Sequence, residues 1–239
     1  MIVIYLLTHK IKNMEKIIIF GTSQLASLAH FYFEHDSPHK VVAFTLDKNF
    51  KTEDNFRGLP VIEFEDIEKK YPPTEYKMFL PISFKKMSFF RKAKFEEAKA
   101  KGYECVSYVS SKASTWPDLD IGENCFIFED NTIQPFVKIG DNCVLWSGNH
   151  IGHHTEIKSH VFITSHVVIS GCCIIGENSF FGVNSTIRDE TIIGKASLIG
   201  MGAIITKDTP DFSIWLGAKS TMKEGKSIEI DSISHKTNG

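Results

Sequence analysis

The sequence predicts a small α/β domain followed by a coil of short parallel strands, and two observations carry that expectation. From Ile121 to Ile205 a large apolar residue returns every six positions, fifteen times without a slip in register. Of the 16 isoleucines in 121–210, 13 occupy that one position in six, where chance would place about three. Ahead of this stretch, residues 15–110 have a different texture, alternating short apolar runs with helix-like segments.

Taken in order, residues 1–13 (MIVIYLLTHKIKN) carry a short apolar run with its basic residues behind it rather than ahead. This is neither a secretory signal nor a membrane span. Met14 opens MEKIIIFGTS, so 1–13 reads as an upstream extension. EKIIIF is a buried strand, and TSQLASLAHFYFE is a helix capped by Thr22 or Ser23. KVVAFTLD and YKMFLPIS are further strands, SFFRKAKFEEAKAKG is a helix ending at Gly102, and YECVSYV is a last strand. The domain therefore spans 14–110, with 111–120 (SKASTWPDLD) as a linker, 121–222 as the coil and 223–239 as a tail. The first strand-to-helix turn, GTSQLA, keeps the first Gly of a G-x-G-x-x-G/A pattern at Gly21, places Ser23 at the second and ends on Ala26. Backbone amides at such a helix start can hold phosphate, but a serine at the second position counts against a dinucleotide.

In the coil, the residue after the lattice position is glycine seven times, and the residue four after it is small, as at Cys125, Cys143 and Ser179. A six-residue period fits neither helix nor plain strand. It fits stacked strands joined by tight turns, with the large residue inward and glycine relieving the turn. Cys125 and Cys143, eighteen apart, stack as small core residues.

Lysine plus arginine is 27 and aspartate plus glutamate 29, so a net charge of −2 gives no reason to expect nucleic acid or an acidic membrane as partner. Five cysteines, odd in number and without a C-x-x-C pair, read as reduced thiols of a cytoplasmic protein.

The [large aliphatic]-Gly-x-x-[small]-x repeat resembles the hexapeptide-repeat acyltransferases. That resemblance implies a left-handed parallel β-helix with three hexads per turn. Fifteen hexads then make five turns, about 24 Å of stack at roughly 4.8 Å per strand. With the α/β half included (MEKIIIFGTSQLA, VVAFTLD, FRGLPVI), the chain resembles the bacterial transferases that acylate nucleotide-linked amino sugars or sialic acid. The resemblance implies that the α/β domain holds the nucleotide of the sugar, with Gly21, Ser23 and Asp47 as its contacts. It implies acetyl-CoA as co-substrate and a homotrimer, whose flat faces carry Val161, Val167, Val168 and Phe180.

Five of the ten histidines fall in WSGNHIGHHTEIKSHVFITSH: His150, His153, His154, His160 and His166. Metal ligands, a general base or a polar surface would each explain them. A metal held by His154, His160 and His166 is disfavoured, because residues six apart lie on successive faces of such a coil and diverge. No metal site is assigned. A general base suits the chemistry, since an attacking amine or hydroxyl must lose a proton and imidazole titrates near neutrality. The resemblance places the family's base at His153. It puts His154 where an acidic partner usually lies, with Glu156 or a neighbouring chain as substitute. His150, His160 and His166 read as surface residues. Gly148 and Gly171 match the family's spacing, Gly171 on the coenzyme A side, while Trp146 replaces a small polar residue. The closing segment WLGAK matches the family's coenzyme A segment at Ala218 and Lys219 and departs from it at Trp215 and Gly217; Phe212 and Trp215 either cap the coil or stack on adenine.

The function expected is acetyl transfer to the amino group of a nucleotide-activated amino sugar, serving surface-glycan or glycoprotein synthesis. The alternatives are O-acetylation of a sugar hydroxyl of the sialic acid type, a non-catalytic sugar-nucleotide scaffold, and a metal-dependent lyase of the carbonic anhydrase type.

Overall fold

The computed structural model describes residues 14–222 and 224–229. The expected extension 1–13 and most of the tail 223–239 lie outside them. The α/β domain is a five-stranded sheet that runs, edge to edge, through 55–56, 59–63, 40–46, 16–20 and 76–79. Its parallel strands are β1 (Lys16–Phe20), β2 (Lys40–Leu46), β4 (Leu59–Glu63) and β5 (Tyr76–Phe79). β3 (Asn55–Phe56) closes the edge antiparallel to β4. The run Ile17–Phe20 is buried throughout, as a central parallel strand covered on both faces must be. Helix α1 (Gln24–Asp36) starts at Ser23, whose hydroxyl accepts from the Ala26 amide. A one-turn helix, α2 (Ile67–Lys70), and α3 (Phe89–Ala100) complete the domain.

The coil is a three-sided prism of two-residue parallel strands. On every side a residue pairs with the one eighteen later, as Lys138 does with Asp120 below and Glu156 above, until the last rung, where Leu198 pairs with Ile214 sixteen later. The first side has seven strands and runs from Tyr108–Val109 to Ile214–Trp215. The second, from Thr132–Ile133 to Ile204–Ile205, and the third, from Asp120–Ile121 to Ile192–Ile193, have five each. The isoleucine lattice fills the interior, where Ile151, Ile163, Ile169 and Ile187 are fully buried. Each such side chain is worth about 1.5–3 kcal/mol of transfer free energy.

Three details differ from the sequence expectation. First, the coil begins earlier. Tyr108–Val109 pairs with Phe126–Ile127, and Ser114 bridges Thr132 inside the expected linker. The segment YECVSYV is shared: Cys105 bridges Met78 at the edge of the α/β sheet before the chain turns into the first rung. Second, the glycines after the lattice positions do not relieve a strained turn. The left-handed conformation falls two residues further on, at Asn124, Asp130, Asn142, His154, His160, His166, Cys172 and their equivalents. The glycines are there for space. A Cβ on Gly140 would lie 2.7 Å from the Ser159 amide nitrogen of the next turn, and one on Gly152 would lie 2.5 Å from the Ser170 carbonyl carbon. Third, Val161 and Val167 are interior residues, and Phe180 is covered by Phe84 at 4.3 Å, so none of the three belongs to an open face.

The α/β domain docks on the first side. Phe33, Phe79 and Tyr108 interlock with Phe126, Phe128, Val144 and Phe162 in one core. Arg91 on α3 is buried in the joint. Its Nη2 donates to the His160 carbonyl at 2.8 Å and to the Ser88 hydroxyl at 3.1 Å, and its guanidinium lies over the Phe162 ring.

Gly152→Ala should lower stability by about 1–3 kcal/mol, the range for overpacking, because two backbones would have to part. Gly202 has a positive φ but open space around it, so Gly202→Asn should be close to neutral, asparagine tolerating that conformation. Denaturant midpoints of the two variants check the contrast.

Candidate active site

Two regions carry chemistry. The first is the cleft at the start of α1. Gly21 adopts φ +98°, which a side chain would resist, and its amide donates to the Thr45 carbonyl at 2.7 Å. In the first turn of α1 beside it, the amides of Gln24 and Leu25 have no partner within the helix, while that of Ala26 donates to the Ser23 hydroxyl. Gly21 and Ser23 line a space of about 650 Å³ together with Gln24, Leu25, Ser83 and Lys85. Gln24, Leu25 and Ser83 also border an apolar hollow against Trp146, Phe162 and Thr164 of the coil. The cleft therefore runs from the helix start to the coil's first side. Asp47 does not line it. Its carboxylate is held by Lys94 Nζ at 2.8 Å, both side chains largely covered, in a separate depression with Asn49 and Phe50.

The second region is the corner between the coil's second and third sides, where His153 and His154 project into solvent. The His153 backbone is fixed by its amide, which donates to Gln134 Oε1 at 2.9 Å, and by its carbonyl, which accepts from the Cys172 amide at 2.8 Å. Its ring lies over Gly171, where a Cβ would come within 2.9 Å of the ring; glycine there leaves room for the imidazole. Nδ1 of His153 is 3.1 Å from Nδ1 of His154, and the His154 ring rests on Phe136 at 4.7 Å. One of the two Nδ1 atoms must carry the proton of this bond. When it is that of His153, the His153 Nε2 is left with a free lone pair. Glu156 is paired with Lys158, two residues further on. Cys172, one turn above His154, has its sulfur 3.9 Å from His153 Nδ1.

The other histidines part company. His150 is half-buried on a strand and His166 is exposed, its ring over Gly148. His160 is no surface residue. It is buried at the corner facing α3, in a column with Asn124, Asn142 and Asn178, and its Nδ1 accepts from Asn142 Nδ2 at 2.9 Å. Burial, reinforced by Arg91 and Lys92, pushes its pKa down to about 4 and outweighs the Glu177 carboxylate 3.7 Å from Nε2. His154, His160 and His166 thus occupy three different corners.

Ala218 and Lys219 are exposed near the far end of the coil, at a corner other than that of His153 and Gly171. Trp215 forms the last rung against Ile199 and packs on the isoleucine core, so it closes the coil's end. The sequence reasoning did not single out Gln134, Arg91 or Cys172. The eighteen-residue offset from His154 to Cys172 was the available signal for the last.

Residues 119–153 and 137–171 match the bacterial transferase hexapeptide family (six repeats), and 173–207 match the hexapeptide repeat of succinyl-transferase. No curated protein sequence matches. Among solved structures, the acetyltransferase domain of PglB from Neisseria gonorrhoeae FA1090 aligns over 85% of this chain and 97% of its own, with a TM-score of 0.74 and 20% identity. The same domain in complex with acetyl coenzyme A aligns at 0.75. PerB from Caulobacter crescentus, in complex with CoA and GDP-perosamine, aligns over 84% of this chain and 94% of its own, with a TM-score of 0.62 and 17% identity. Residues 119–207 are therefore built of the hexapeptide repeats of bacterial transferases. The fold is the one expected, an α/β domain followed by a left-handed parallel β-helix. Among the described residues no helix is long and apolar enough to cross a membrane.

The depressed pKa of His160 sets a pH dependence. The unfolded chain takes up a proton near pH 6.5 and the folded chain only near pH 4. Stability should be full above about pH 6.5 and fall as pH drops towards 4, by on the order of 3 kcal/mol at 1.36 kcal/mol per unit. His160→Asn, which continues the asparagine column, should flatten that dependence; urea midpoints at pH 7.5, 6 and 5 measure it.

Proposed function

We propose that the protein transfers the acetyl group of acetyl-CoA to the amino group of a nucleotide-activated amino sugar. The observation that carries this is the pairing of an exposed, backbone-anchored His153 with a helix-start cleft, on a fold shared along most of the chain with acetyltransferases. The cleft suits a nucleotide sugar: first-turn amides of α1 and Lys85 for phosphate, Gly21 and Ser23 at the turn, and the Trp146–Phe162 hollow for the apolar face of a sugar. Asp47, already engaged by Lys94, supports that role least.

His153 supplies the base. With its Nδ1 proton donated to His154, its Nε2 accepts a proton from the amine as the nitrogen attacks the thioester carbonyl. The carbonyl oxygen becomes an oxyanion, held by a backbone N–H of the coil turn. Its collapse expels the thiolate of coenzyme A, which takes a proton. His154 orients the ring through one neutral hydrogen bond where a carboxylate would also stabilise the charge.

The cleft opens on the first side of the prism, whereas His153 stands on the opposite corner. A sugar held in one chain's cleft therefore needs the histidine of another chain. The two sides not covered by the α/β domain expose Val168 and Ile204, and Ile174 and Ile192. These apolar strips suit the faces of a homotrimer arranged about a three-fold axis. Gly171 keeps the His153 corner open, and Ala218 and Lys219 flank the far end, where the adenine portion of coenzyme A would lie.

Incubation with acetyl-CoA and a panel of nucleotide amino sugars should yield one product heavier by an acetyl group, by mass spectrometry. Acetylation only of sugars lacking a free amine would replace the reading with O-acetylation. His153→Ala should lower kcat by about 10²–10⁴-fold, or roughly 3–5 kcal/mol, with acetyl-CoA affinity nearly unchanged. His154→Ala should cost less and His166→Ala least. Light scattering at micromolar concentration should return three times the mass of the chain; a monomeric mass would separate the cleft from its histidine and sink the shared site.

A further inference from the structure

We infer that the His153 corner is also a binding site for a borderline-soft divalent cation, zinc above all, and that the bound ion switches the base off. The inference rests on the proposed role of His153 only for its functional consequence.

Two turns of the coil build this site. His153 and His154 end one rung, and Cys172 occupies the equivalent of position 154 one turn above. Both His154 and Cys172 sit at the left-handed corner position, with φ +59° and +58°. The stacked turns are locked by the Cys172 amide donating to the His153 carbonyl at 2.8 Å. One ligand atom from each of the three residues lies within 4.8 Å of the others, and all three residues are exposed. Two separations are specific: 3.1 Å between the two Nδ1 atoms and 3.9 Å from Cys172 Sγ to His153 Nδ1. Zinc bonds of 2.0–2.1 Å to nitrogen and 2.3 Å to sulfur at tetrahedral angles place the ligands about 3.3–3.6 Å apart. Small side-chain rotations therefore suffice. Two imidazoles and a thiolate are a donor set that favours zinc over magnesium or calcium. Three protein ligands leave a fourth position for water.

The chemistry of binding follows from proton positions. Without metal, the Nδ1 pair shares one proton. Coordination through both Nδ1 atoms requires that neither carry one, and the thiol releases its proton to solvent. Neutral imidazole then holds its proton on Nε2. The Nε2 of His153, the atom that would accept the proton of the amine, becomes an N–H donor. Zinc would thus stop acyl transfer by fixing the wrong tautomer, even where sugar and coenzyme A still bind.

The test uses the full chain, reduced and stripped of metal. Cobalt(II) added to it should give the near-ultraviolet thiolate-to-metal band and a tetrahedral visible spectrum, at one ion per chain, and zinc should displace both. Cys172→Ser should lose the thiolate band. It should also lose more zinc affinity, read against a chromophoric chelator, than the about 10–100-fold that loss of an outer-shell partner costs. With substrates, zinc should lower the acetylation rate of the unaltered protein reversibly by chelator, while the ratio of rates with and without zinc should stay near one for Cys172→Ser. Absence of the thiolate band, or equal zinc affinity in the two proteins, would overturn the site. The metal titrations need no turnover, so failure of the acetyltransferase reading would leave them standing as a test.

Discussion

The in-register stacking of one coil turn on the next is the constraint on which the rest of the molecule depends. Through Ile205 each strand residue of the coil sits above the one eighteen positions earlier, at the spacing of hydrogen-bonded parallel strands. That spacing forbids a Cβ where backbones cross, which explains Gly140, Gly152 and Gly176. It also turns each corner into a column of like positions. In one column Asn124, Asn142, His160 and Asn178 follow one another; in another Phe136, His154 and Cys172 do. Hydrogen-bonded ladders and ligand clusters arise from the same repeat.

The α/β domain covers one side of the prism and so determines what each corner can do. The aromatic core around Phe33, Phe79, Phe126 and Phe162 fixes the domain on the first side. α3 and its buried Arg91 then enclose the corner of His160. That histidine is dry and held neutral. The corner of His153 faces away from the domain and keeps its imidazole in solvent. Histidines one turn-corner apart thereby meet different surroundings, His160 enclosed beside Arg91 and Lys92 and His153 exposed. The same docking creates the cleft between α1 and Trp146.

The His153–His154 pair sets one imidazole against another, Nδ1 to Nδ1 at 3.1 Å, with no carboxylate among the described residues on the His153 ring. A neutral imidazole can orient its neighbour but offers no negative charge to a developing imidazolium. It also brings a second nitrogen ligand beside the first, and Cys172 adds a thiol from the turn above. Two adjacent imidazoles and a thiol therefore set both the orientation of His153 and the ions that the corner can attract.

The sequence alone determined a coil of short stacked strands, because the inward isoleucines recur with a period that neither helix nor extended sheet can satisfy, while its three sides followed from the resemblance to the hexapeptide-repeat acyltransferases. It determined the alternating α/β start and narrowed the cap of α1 to Thr22 or Ser23, of which the structure uses Ser23. It did not determine which corners would be buried. His160, Val161 and Val167 read as surface residues until the position of the coil interior and of α3 was known, since a six-residue lattice specifies the inward residue and leaves the corner positions ambiguous. Nor did it show Asp47 drawn to Lys94, forty-seven residues away. The meeting of Cys172 with His153 was written in an eighteen-residue offset, but its distance was not. Only the tertiary structure decided that, because three side chains converge through the rotamers and corner geometry of two stacked turns, which the order of residues does not specify.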